Sequence, residues 1–83
     1  MQGTYASVEL ANEILNDLAG SFAALSIKEE QKKNPNMELI KSIDELLPEL
    51  GHMVAILPTQ EEDLQNIIKF YAPVLRAVNA LII

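Results

Sequence analysis

The sequence predicts an all-α fold: a small antiparallel up-down helical bundle of three long helices, forming a single domain over residues 1–83. Three observations predict it. Apolar residues recur at 3-4-3-4 spacing in three separate stretches, which is the period of an amphipathic helix. Asn34-Pro35-Asn36 and Leu57-Pro58 break the chain between those stretches, because a proline disfavours the α conformation in the residue before it. Thr59-Gln60-Glu61-Glu62 matches a capping box that opens the third stretch. Helices are expected at about 7–33, 36–57 and 60–83.

The first helix follows a short disordered lead, Met1 to Ala6, with Thr4 or Ser7 as its cap. Its seam reads Val8, Ala11, Leu15, Leu18, Phe22 and Leu25, widened by Ile14. Gly20 interrupts it at a cost of about 1 kcal/mol relative to alanine. With Ala19, Ala23 and Ala24 around it, Gly20 marks a close helix crossing, a bend or a break. Beyond Leu25 the seam fades into a solvated extension ending at Lys32 and Lys33, which suit the negative end of a helix dipole. Glu29 and Lys33 have the spacing and order of an i,i+4 ion pair.

The second helix carries Ile40, Ile43, Leu47, Leu50, Val54 and Leu57, with Leu39, Leu46 and Met53 beside them. Pro48 lies inside it, where it removes one hydrogen bond and crowds the preceding turn. The apolar phase continues across Pro48, which favours one kinked helix over two short ones. A break at Gly20 or Pro48 would give four or more helices in the same topology.

The third helix is the most apolar. Its seam is Leu64, Ile67, Tyr71, Val74, Val78 and Leu81, flanked by Ile68, Phe70, Leu75 and Ile82. Lys69 and Arg76 both fall opposite the seam. So wide an arc needs cover on two sides, from its own chain or a second copy. Near the end, Leu75, Val78 and Ile82 stand three and four apart and form the expected self-association strip of a homodimer. Pro73, like Pro48, occupies an outward position.

Composition narrows the function. The formal net charge is −6, with 12 acidic and 6 basic residues. Nucleic acid and anionic membrane surfaces are therefore not expected partners, since both attract basic proteins. A basic or apolar protein partner fits better. No cysteine is present, which excludes disulfides, thiolate catalysis and cysteine-ligated zinc. The first residues lack a basic start and an apolar run, and no transmembrane stretch is evident, so a cytoplasmic location is expected.

Chemistry is sparse. His52, the one histidine, falls on an outer face. A phosphorelay role would need a basic neighbour to hold phosphate, and Gly51-His52-Met53-Val54-Ala55 supplies none, while Glu49 repels it. One histidine without cysteine cannot build the usual metal sites, and neither a metal nor a cofactor is expected. Glu9, Glu13 and Asp17 form an acidic stripe on the outer face of the first helix, read as a solvated face or a docking surface for a basic partner. Without a pocket to shift one of them, these carboxylates do not form an acid–base pair. Met37 and Met53 read as gap fillers. The chain is expected to be a non-enzymatic protein-interaction or regulatory module that self-associates; a phosphotransfer component using His52, or an assembly subunit, is the alternative.

Overall fold

The structure, a computed structural model, describes residues 2–82, and side chains from Ala6 to Ile82. It contains α1 (Gln2–Glu30), α2 (Met37–Ala55) and α3 (Glu61–Ile82), with no strand among the described residues. Ser7 of α1 bonds Glu61 at the start of α3, and Lys28 of α1 bonds the carbonyls of Leu81 and Ile82 at its end. The two helices therefore run parallel, and α2 returns between them in sequence. This is an up-down-up bundle.

The long third helix is not the centre of the molecule. α1 packs along both α2 and α3, whereas no Cα of α2 comes within 8 Å of one in α3 among the described residues. Ala11, Leu15 and Leu18 of α1 are the most deeply buried run of the chain. Side chains alone join the two outer helices. Leu50 and Val78 meet around Leu15 and Leu18, and the Tyr71 hydroxyl donates to Met53 Sδ at 3.7 Å. The result is an open V with α1 at its vertex. The Cα radius of gyration is 14.3 Å, against roughly 12 Å for a compact domain of this length.

Local starts and stops differ from expectation at several points. α1 is already helical at Gln2, so Ser7 lies within the helix, buried, and does not cap it; the side chains of Thr4 and Tyr5 lie outside the described residues. The helix ends at Glu30 rather than 33. Lys32 N–H then closes a tight bond to the Glu29 carbonyl at 3.1 Å, which brings Lys32, not Lys33, onto the Glu29 carboxylate at 2.9 Å. The expected solvated extension is partly interior, because α2 begins against it and buries Ser26 and Glu29.

Asn36 caps α2 by accepting from Leu39 N–H at 3.1 Å, as its side-chain type favours. Pro48 sits inside one continuous helix, exposed, and Pro73 does the same in α3. Gly20 is also within a continuous helix. It is exposed, and a Cβ there would meet no atom within 4 Å, so it makes no close crossing. Met37 is exposed rather than filling a gap. At α3 the first amide bond runs from Leu64 N–H to the Gln60 carbonyl. Gln60 thus holds the capping position that the sequence assigns to Thr59.

Candidate interaction surface

Three polar groups on α1 set the rotation of α3. Ser7 donates to Glu61 Oε1 at 2.6 Å, and Gln65 Nε2 donates to both Ser7 Oγ and Glu61 Oε1 at 3.0 Å. Ser21 donates to Asn79 Oδ1 at 2.5 Å. Lys28 Nζ donates to the Leu81 and Ile82 carbonyls at 3.1 and 3.2 Å, satisfying acceptors that a helix end leaves open and meeting its negative pole. At about 100° per residue, Glu61 and Asn79 lie on one line along α3, and Gln65 lies about 40° from it.

Phe70, Ala77 and Leu81 stand about 160–200° round the helix from that line. Phe70 and Ala77 are exposed on that side, Phe70 at 68%, and Leu81, 63% exposed, stands at the rim of the cleft where α1 ends. Half-buried Ile67 and Val74 border them on the side facing α2. Together Ile67, Phe70, Val74, Ala77 and Leu81 repeat at 3-4-3-4 spacing, an apolar stripe whose inner edge packs on the core and whose outer edge is exposed. The Phe70 ring also meets Tyr71 edge-on, with centroids 4.9 Å apart. Exposed apolar residues elsewhere, such as Leu10 and Ile27 on α1, stand singly, which is ordinary for a protein surface.

The expected self-association strip does not form one exposed line. Val78 is a core residue beside Leu15, Leu18 and Leu50, and Leu75 and Ile82 are half-buried against that core. The correction has a physical cause. The apolar periodicity reports a wide arc but not its rotation, and the bonds to Ser7, Ser21 and Lys28 rotate it so that Val78 faces in. A signal for this was present: Ser7, Ser21 and Lys28 share one position of the seven-residue repeat, and Gln65 and Asn79 share another.

Glu9, Glu13 and Asp17 are exposed along the outer face of α1, and none takes part in a hydrogen bond or ion pair among the described residues. His52 is exposed on α2, with Glu49 one turn before it. No group of three or more His, Asp or Glu side chains is placed to hold a metal ion among the described residues.

A cleft of about 270 Å³ opens where α1 ends, α2 begins and α3 ends, lined by Leu25, Lys28, Glu29, Lys32, Leu39 and Leu81. Its charged groups are engaged within the chain. The Glu29 carboxylate, 8% exposed, accepts from Asn36 N–H and from Lys32 Nζ, both at 2.9 Å. The Asn36 amide, then Lys32, holds the Glu29 carboxyl below the usual glutamate range against the opposing effect of burial. The pair latches the α1–α2 turn. Leu81 joins this cleft to the apolar stripe.

No protein-family model, curated protein or solved structure matches the chain. No helix among the described residues is long and apolar enough to cross a membrane.

Proposed function

We propose that this chain is a non-enzymatic, cytoplasmic protein-interaction module that works as a homo-oligomer and uses the open face of α3 to associate. The observation that carries the reading is the alignment of Phe70, Ala77 and Leu81 on one exposed line of α3. A helix face of this kind in water is destabilised at roughly 25 cal/mol per Å² of apolar area, and association removes that cost. The polar side chains support the non-enzymatic part. Ser7 is bonded to Glu61 and Gln65 rather than to a histidine, and no lysine or arginine stands within one turn of His52 on α2. The acidic line of Glu9, Glu13 and Asp17 remains a surface on which a basic regulatory partner would dock. Light scattering from the eluting peak of a size-exclusion column provides the test. The wild type should elute at twice its 9.2 kDa mass, and Phe70→Glu at the monomer mass. A wild type that elutes at 9.2 kDa at every loading concentration overturns the reading.

A further inference from the structure

We propose that the stripe of α3 receives the same stripe of a second copy, antiparallel, about a two-fold axis near Val74. The proposal rests on the self-association reading and adds the register and the direction. Four observations lead to it.

The first is area. The accessible surface is 5742 Å², whereas a folded monomer of this mass exposes roughly 4,900 Å². The excess, about 800 Å² over the whole elongated chain, leaves enough surface for one partner's share of an interface of standard size.

The second is shape. A two-fold axis at Val74 places Phe70 level with Val78 of the mate. Val74, Ala77 and Leu81 are spaced i, i+3 and i+7, three sides of the hole into which a side chain inserts between packed helices, and Val78, 6% exposed, closes its inner side against the core. Ala77, on the exposed edge of that hole, leaves room for the Phe70 ring. Hole and knob lie on one helix, so each copy offers both, as a two-fold interface requires.

The third is charge. Each copy carries −6, so two copies repel wherever acidic faces meet. The exposed faces of α1 and α2 carry Glu9, Glu13, Asp17, Asp44, Glu45 and Glu49. From Asn66 to Ile82 the stripe side of α3 carries no charge, because Lys69 and Arg76 point away from it. It is the face on which two acidic copies can meet without setting like charges together.

The fourth is geometry. Because α2 and α3 do not approach closely, the open side of the V leaves Phe70, Ala77 and Leu81 exposed and Ile67 and Val74 half-exposed.

The native chain has no cysteine, so a single introduced cysteine carries a spin label without background. Arg76→Cys and Glu62→Cys are both at exposed sites. With the axis at Val74 and about 1.5 Å rise per residue, paired Arg76 sites lie about 6 Å apart along the helix and paired Glu62 sites about 36 Å. Electron–electron dipolar spectroscopy should then give a clearly longer distance for labelled Glu62→Cys than for labelled Arg76→Cys, although Arg76 points further from the interface. Dimer mass in sedimentation with two similar distances means parallel pairing or another face, and overturns this proposal while leaving self-association intact. Monomer mass with no dipolar signal overturns both.

Discussion

Individual residues carry three separate stability effects. Gly20 and Gly51 each sit inside a helix, exposed, with nothing within 4 Å of the position a Cβ would take. Alanine there removes the backbone entropy that glycine loses on folding without creating a clash. Gly20→Ala and Gly51→Ala should each stabilise the protein by about 1 kcal/mol in chemical denaturation; a loss of stability would mean that one of these helices needs glycine to bend. Glu29 acts through charge. Its carboxyl is held below the ordinary glutamate range by the Asn36 amide and Lys32. A depressed acid stabilises the fold fully above its unfolded pKa and loses that contribution as pH falls through the folded one. Wild type should therefore exceed Glu29→Gln in stability at neutral pH, and the gap should close as pH drops below the usual glutamate range. A gap that is constant with pH would remove the latch from the account. The hydrophobic centre responds to size instead: Leu18→Ala, at a site 1% exposed, should cost about 2–5 kcal/mol.

At the level of elements, the helices were legible in the sequence and their roles were not. Period and turn residues placed α2 and α3 within a few residues, and the unbroken apolar phase across Pro48 gave one helix. The termini depended on contacts between distant segments. Ser7 reads locally as a cap, yet its hydroxyl serves Glu61 54 residues away. Thr59-Gln60-Glu61-Glu62 reads as a capping box, yet Glu61 is drawn to Ser7 and Gln65, and the first amide bond closes on Gln60. Asn36→Ala should accordingly destabilise by about 0.5–2 kcal/mol, and Thr59→Ala should shift the melting temperature very little. The reverse order would restore Thr59 as the cap. The candidate surface was half legible. That α3 has more apolar arc than one bundle covers follows from its composition, but which side is left over depends on rotation. Here Gln65 and Asn79 decide, through partners on α1.

The whole molecule is organised around α1 because, among the described residues, only its backbone lies close to both other helices, while α2 and α3 meet through side chains alone. An open V of three helices buries few side chains completely; Leu15, Leu18, Ile43, Leu50 and Leu64 are the largest below 2% exposure. The same openness that thins the core leaves much of the α3 stripe uncovered, so marginal packing and the proposed association would share one cause. If a second copy closes the stripe, stability rises with concentration, because whatever binds the folded state alone shifts the equilibrium towards it. Sedimentation equilibrium from low to high micromolar concentration, on wild type and Phe70→Glu, tests this most directly. Wild type should pass from monomer to dimer mass as concentration rises, while Phe70→Glu stays monomeric and retains its helical circular dichroism. A wild type that stays monomeric across that range, or a Phe70→Glu protein that dimerises as tightly as wild type, would contradict the account.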